Sequence, residues 1–456
     1  MNKRFNFYKI PMKIESHVDI AQAIDDAKLS AYQIGIFILC GICLIIDGFD
    51  VQAMGYVAPA IIQDWKLQNA MMAPVFSATL IGVMIGAILF SMLSDKLGRR
   101  PVLIAATLFF SVLTLVTAQA STVVELHWIR LIAGIGLGGI MPNAVALCGE
   151  FSPKRSRVFI MMMVGNCFTA GAALGGLIAA WLIPHYGWRS VFYFGGCVPM
   201  IIACVMFVWL PESLQFLAVK GKAKDQIAKI LRRINPTQNY DNSIEFFVPE
   251  QAKTGVPIFQ LFHAGRATVT LMLWTVNFMN LLNLYFLSSW LPTVVRDAGY
   301  PTSTAVYVGT TLQVGGTIGA ILLGWLVKRF GFVPVLAFGF ALAAINISFI
   351  GWPGLALALL FTVVFIAGVG VMGGQVGVNA LAATYYPTDL RSTGIGAGLG
   401  VGRLGAIVGP LIGGQLMAMK WGARELFLAA AIPALISAIV MVAMRWALRD
   451  EERSGL

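Results

Sequence analysis

The polar and apolar positions of this chain fall in long blocks. Runs almost free of charge cover roughly 31–61, 71–94, 102–120, 123–149, 158–183 and 190–210. After a polar stretch, six more cover roughly 267–295, 304–327, 333–351, 354–383, 393–419 and 424–447. Each is close to or above the ~20 apolar residues that cross a bilayer as a helix. The pattern predicts an all-α membrane protein with twelve transmembrane helices in two pseudo-symmetric six-helix bundles. The expected parts are a cytoplasmic N-terminal leader (1–30), a first bundle (31–210), a cytoplasmic linker (211–266), a second bundle (267–447) and a cytoplasmic tail (448–456). Within the linker, Ser213–Ile234 has the pattern of a basic amphipathic helix on the inner membrane surface. The leader lacks the short apolar core and cleavage site of a removable signal, so the first helix is expected to direct insertion.

The two halves repeat. Asp47, Asp50, Pro59 and Asp64 recur 233 residues later as Asn280, Asn283, Pro292 and Asp297. Gly134, Gly136, Gly139, Pro153, Arg157, Gly171, Gly175 and Pro199 recur 234 residues later as Gly368, Gly370, Gly373, Pro387, Arg391, Gly405, Gly409 and Pro433. A duplicated six-helix unit is the layout of transporters that rock one half against the other around a central site. Glycines at helical spacing (Gly165, Gly171, Gly175 and Gly176; Gly398, Gly402, Gly405 and Gly409) admit close helix approach, for static packing or for a moving interface.

Composition agrees: 58% of residues are hydrophobic and 12% charged, against about 25% charged in an average soluble chain. The net charge of +11 does not point to nucleic acid, because the basic residues lie in the connections. If both termini, the linker and the connections after helices 2, 4, 8 and 10 share one side, that side holds 25 Lys and Arg and the other 5. This bias places the termini in the cytoplasm, in a bacterial inner membrane. The six cysteines lie in or beside apolar runs and read as small hydrophobes, Cys40-Gly-Ile-Cys43 included. No cluster suggests a metal and no Ser/His/Asp set suggests hydrolysis, so neither cofactor nor enzyme is expected. Gly134-Ile-Gly-Leu-Gly-Gly139 imitates a dinucleotide fingerprint but lies in a membrane span, without the strand that pattern needs.

The chemistry concentrates in a few intramembrane charges. Asp47 and Asp50 lie near the midplane of the first helix, three residues apart, a spacing that shares a helix face. One such residue costs about 2.5–3.5 kcal/mol on an insertion scale. A pair lining a water-filled proton path is the preferred reading, with hydrogen bonding to neighbouring helices as the plain alternative. Arg130 and Arg403 are the intramembrane cations, and neither has a charged partner in the repeat. Arg403, with Arg130 as second choice, is a candidate for a substrate carboxylate, which a guanidinium fork matches. The alternative is that both arginines neutralise the aspartates, and the two roles can alternate. Phe49, Tyr285, Asn143, Asn280, Asn283, Gln375 and Asn379 complete the candidate binding set, an aromatic and amide lining of the kind small-molecule sites use.

The loop Ser94-Asp95-Lys96-Leu97-Gly98-Arg99-Arg100-Pro101 resembles the loop between helices 2 and 3 of the major facilitator superfamily. Its second copy, Val327–Pro334, keeps the glycine and proline but not the acid. Asp95, Arg99 and Arg100, with Glu150, Arg157 and Arg391 in connections on the same side, form a candidate cytoplasmic gate. Asp47-Gly48-Phe49-Asp50 is similar to the signature of the aromatic acid:proton symporters, the benzoate and hydroxybenzoate type within that superfamily. So is the stretch from Arg130 through Gly139, Pro142-Asn143 and Glu150 to Ser152–Arg157. Pro211-Glu212-Ser213 is shared more widely. The likeness spans residues 31 to 447 and implies the major facilitator fold, acting as a monomer. It also implies proton-coupled uptake of an aromatic carboxylate across the inner membrane by alternating access. Rival readings are a proton symporter for another organic acid or a sugar, or a non-transporting membrane sensor on the same scaffold.

Overall fold

The computed structural model describes residues 17–221, 224–236, 245–247, 258–263, 265–387 and 390–454. Among the described residues, twelve helices are long and apolar enough to cross a membrane. They are α1 (Ala31–Asp64), α2 (Ala73–Leu97), α3 (Arg99–Thr117), α4 (Val123–Gly138, resuming as Ile140–Phe151), α5 (Arg157–Tyr186) and α6 (Arg189–Trp209). The second set is α7 (Ala267–Asp297), α8 (Thr302–Phe330), α9 (Phe332–Ile350), α10 (Leu357–Tyr385), α11 (Arg391–Ala418) and α12 (Ala423–Ser454). Their ends follow local chemistry. Ser30 and Gln33 form a capping box at the start of α1, satisfying two otherwise orphaned backbone groups. Gly98 separates α2 from α3 at φ +103°, a conformation side chains avoid. A Cβ there would also strike the Glu212 carboxylate.

The duplication is visible in the packing. In the first half α1 lies on α5, α2 on α4 and α3 on α6; in the second α7 lies on α11, α8 on α10 and α9 on α12. The glycines explain how closely. A Cβ on Gly171 would meet the Ile45 backbone, and its repeat mate Gly405 meets Phe278, itself the mate of Ile45. Most of the glycine stripe therefore serves static packing within a half. Gly176 alone of that set faces the other half, against Thr310, and Gly165 has open space around it.

The leader and linker depart from expectation. His17–Asp19 pairs in parallel with Glu245–Phe247, and a short helix, Ile20–Asp25, follows. The single helix expected over Ser213–Ile234 is two, Leu214–Val219 and Lys224–Ile234, with Gly221 in the left-handed region between them. Its apolar face covers protein: Ile227, Leu231 and Ile234 share a buried cluster with Ile20, Ile24, Ile36 and Cys40. The helical spacing of Ile20, Ala23, Ile24 and Ala27 was the signal in the leader. Lys3, Arg4, Lys9, Lys13, Lys222 and Lys253 lie outside the described residues, as does the last part of the tail.

The halves touch mainly through α5 on α8, α2 on α11 and α1 on α7. The hydrogen bonds between described residues of the two halves all lie away from the face that carries the chain ends. Gln52 donates to the Ser288 carbonyl at 2.9 Å, Ser77 to the Ile407 carbonyl at 2.8 Å and Asn69 to Asp297 at 2.5 Å. Arg296 donates to the Pro59 carbonyl, and Phe76 meets Trp290 edge-on at 5.1 Å. Among the described residues the two halves are thus latched to each other at the far face.

Candidate functional site

The two aspartates of α1 do not act on one partner. Three residues turn an α-helix by 300°, leaving side chains about 60° apart and almost a turn displaced. Asp50 points into the first half and is 0% exposed. Arg130 of α4 grips it through Nη2–Oδ2 at 2.9 Å and Nη1–Oδ1 at 3.3 Å, and also donates to its backbone carbonyl at 3.3 Å. Thr114 of α3 donates to Oδ1 at 3.2 Å. Arg130 Nε reaches Thr79 of α2 at 3.4 Å, and the guanidinium lies over the Phe192 ring at 5.8 Å. One ion pair therefore ties α1, α2, α3 and α4 together. Arg130 is itself 0% exposed, so in this conformation no substrate reaches it.

Asp47 is different. It is buried yet accepts no hydrogen bond from any described residue, and it lies within electrostatic range of Arg403, on α11 of the other half. Arg403 is half-buried and forms no hydrogen bond or ion pair with the described residues. Tyr285 of α7 senses both charges. Its ring also lines a cavity of about 20 Å³ with Gln52, Thr79, Ser288 and Ser289, room for about one water. Since Thr79 is the neighbour of Arg130, this polar space lies between the buried ion pair and the central tyrosine.

An amide ladder occupies the second half. Asn280 donates to the Val371 carbonyl at 2.9 Å and to Gln375 Oε1 at 2.8 Å. Gln375 donates in turn to Asn277 at 2.8 Å and to Asn379 at 3.3 Å. Asn283 is fully buried with neither amide atom partnered, and Asn280 Oδ1 is also unpartnered. Asn143 donates to the Gly139 carbonyl of its own helix at 2.7 Å, leaving its oxygen free. Phe49 does not belong with the cavity residues. It packs against Phe194 at 5.5 Å and against Gly175 and Gly195 inside the first half, because its position on α1 faces α5 and α6.

At the chain-end face four of the candidate gate residues, Arg99, Arg100, Glu150 and Arg157, are engaged within the first half or with the leader. Arg99 Nε bonds Glu150 at 2.5 Å, Arg100 donates to the Phe207 carbonyl at 2.5 Å, and Arg157 lies 3.9 Å from Asp25. Glu212 accepts from the backbone N–H groups of Arg99 and Arg100 at 2.9 and 3.2 Å, capping α3. Asp95 and Arg391 are exposed and have no partner among the described residues. Thr79, Thr114 and the far-face latch escaped the sequence reading. Isolated hydroxyls in apolar helices carry no pattern, whereas Glu212 stood within a recognised motif.

Two six-helix halves enclosing paired and unpaired charges define a membrane carrier. Comparison with known sequences agrees: the Major Facilitator Superfamily profile matches residues 40–410 and 273–455, and the chain belongs to that superfamily. It is 38% identical to the gallate transporter of Pseudomonas putida over 431 residues, covering 94% of this chain and 96% of that one. It is 37% identical to the 4-hydroxybenzoate transporter PcaK of the same organism, covering 93% and 95%. The benzoate transport protein of Acinetobacter baylyi (strain ATCC 33305 / BD413 / ADP1) is 32% identical, covering 93% and 92%. These relatives place the chain among transporters of the aromatic-acid type and not among enzymes. The xylose transporter XylE from E. coli, in a partially occluded inward open conformation, superposes with TM-score 0.71 at 17% identity, covering 91% of this chain and 98% of that one; this likeness concerns the fold.

Proposed function

We propose that the protein takes up an aromatic carboxylate, such as benzoate or a hydroxybenzoate, together with protons across a bacterial inner membrane. The observation that carries this reading is the contrast between the arginines: Arg130 is locked to Asp50, while Arg403 stands unpaired between the halves, opposite Asp47. A free guanidinium at that depth suits a planar carboxylate in two-point contact. Tyr285 offers a ring face beside it, and the ladder of Asn280, Gln375 and Asn379 offers polar edges to ring substituents. Arg130, Asn143 and Phe49 are assigned to the scaffold of the first half, and Asn283 to the second.

Segments 31–210 and 267–447 are the units that rock. The charge bias of the connections puts the termini, and the face opposite the latch, in the cytoplasm. Asp95, Arg99, Arg100, Glu150, Arg157 and Arg391 then lie around the inner mouth, where Asp95 and Arg391 are free to find partners when that mouth closes. An anion entering a negative interior is opposed by about 2.3 kcal/mol per 100 mV, which one accompanying proton cancels. Asp47 is the proton carrier in this scheme. Substrate arriving at Arg403 removes a nearby cation's influence from Asp47 and favours its protonated form, so the two loads enter together.

The test is counterflow in proteoliposomes. Labelled 4-hydroxybenzoate should exchange through the wild type and be displaced by benzoate-like acids. Displacement by sugars or aliphatic acids, with none by aromatic acids, would reject the assignment.

A further inference from the structure

The far face carries a second concavity, separate from the central site. It is a cleft of about 460 Å³, lined by Gln68 and Asn69 ahead of α2, by Asp297 at the end of α7, and by Met417, Lys420, Trp421 and Leu426 where α11 turns into α12. That volume lies within the ~300–1,000 Å³ of small-molecule sites. Both halves build it, and its lining includes the Asn69–Asp297 bond of 2.5 Å that latches them.

Met417 and Leu426 are apolar lining, and Trp421 is an indole that remains 41% exposed. Gln68 and Asn69 bring amides. Asp297 is engaged by Asn69 and lies 3.8 Å from Arg296, whereas Lys420 is exposed and has no ion pair among the described residues. The negative ends of α7 and α11 and the positive end of α12 all open on the cleft, and Lys420 is the cation of its lining. This residue holds φ +60°, the left-handed conformation in which helices usually end on glycine. The matching helix of the first half, α5, does end that way, on Gly187 at φ +77°. A lysine kept in a strained conformation beside an exposed indole is a reason to look for a ligand.

We infer that the cleft is an outer docking site for the same aromatic carboxylate class, with the ring on Trp421 and the carboxylate at Lys420. An occupant competing for the Asn69 amide would loosen the latch as substrate arrives. The inference rests on the transport reading for its ligand class. It is tested by photolabelling with 4-azidobenzoate in sealed vesicles whose far face points outward, with the labelled peptides mapped by mass spectrometry. Label is expected in the peptide 417–426. It should fall about fivefold, the size of one exposed ion pair, in Lys420→Gly, a change the backbone favours, and also in Trp421→Leu. The half-saturation concentration for uptake from that face should rise by a similar factor, with no change for entry from the other face. Label confined to other peptides, or unmoved by both substitutions, overturns the site. Wild-type flux of benzoate in the same vesicles reads the transport assignment separately. Flux without cleft labelling removes the cleft alone, and cleft labelling without flux removes the transport assignment alone.

Discussion

The two halves share a backbone plan and differ in where their charges stand. Asp50 of α1 closes on Arg130 of α4; the repeat-related positions carry Asn283 of α7 and Val364 of α10, and the Asn283 amide has no partner. Asp47 is matched by Asn280, which is tied into an amide ladder and carries no charge. Conversely Arg403 of the second half corresponds to Thr169 in the first. A duplicated scaffold sets helix contacts twice over, as the Gly171 and Gly405 approaches show, but chemistry needs to be placed only once. On the proposed scheme the first half handles protons and the second handles the anion.

The harshest way to break this division is to remove one side of the buried pair. Arg130→Leu strands a carboxylate with 0% exposure and should cost about 3–5 kcal/mol of stability, as loss of one partner in a buried pair does. Asp50→Leu combined with Arg130→Leu should regain most of that stability without regaining uptake. Thermal unfolding in detergent and flux in vesicles read the two effects; a double variant that transports normally would make the pair dispensable. Next in size, Asp47→Asn should abolish accumulation of the acid against its gradient while leaving exchange at equal concentrations. Accumulation that survives this change would move proton coupling elsewhere.

Arg403→Ala should weaken binding of 4-hydroxybenzoate about 10–100-fold, the loss of a charge-assisted hydrogen bond worth about 1.5–3 kcal/mol. Arg403→Lys should recover only part, since an ammonium cannot offer two parallel donors. Unfolding temperature should stay level, because Arg403 bonds to no described residue; a large drop would instead make it a structural cation of the second half.

How much of this is legible in the sequence follows from the physics of each feature. Twelve spans were visible because hydrocarbon demands unbroken apolar length, and the repeat was visible because glycine and proline mark backbone constraints. The intramembrane charges stood out through their cost. What stayed hidden depends on rotation about helix axes: the spacing of Asp47 and Asp50 suggested one shared face, yet about 60° of azimuth sends Asp50 to Arg130 and Asp47 toward Arg403. The same rotation turns Phe49 into the core of the first half. The linker helix broke at Gly221, a residue the basic amphipathic pattern passes over, and its apolar face found the leader instead of lipid. Thr79 and Thr114 became partners of the ion pair through tertiary placement alone.

The smallest expected effect concerns the balance between the halves. Asn69 and Asp297 are both surface groups, so their bond contributes little, on the order of 1 kcal/mol or less. A change of that size shifts a two-state equilibrium by up to about fivefold. The latch exists only when the far face is closed, so Asn69→Ala raises the population opened to that side. A cysteine placed at Ser289, a buried residue that lines the 20 Å³ cavity, should then react faster with a maleimide that cannot cross the membrane. The comparison needs the same cysteine in the parent background, because Cys197 and Cys204 are exposed. Equal labelling rates would show that Arg296 on the Pro59 carbonyl, Gln52 on Ser288 and the Phe76–Trp290 contact hold the face shut without Asn69. Removing Arg296 would then be the change that opens it.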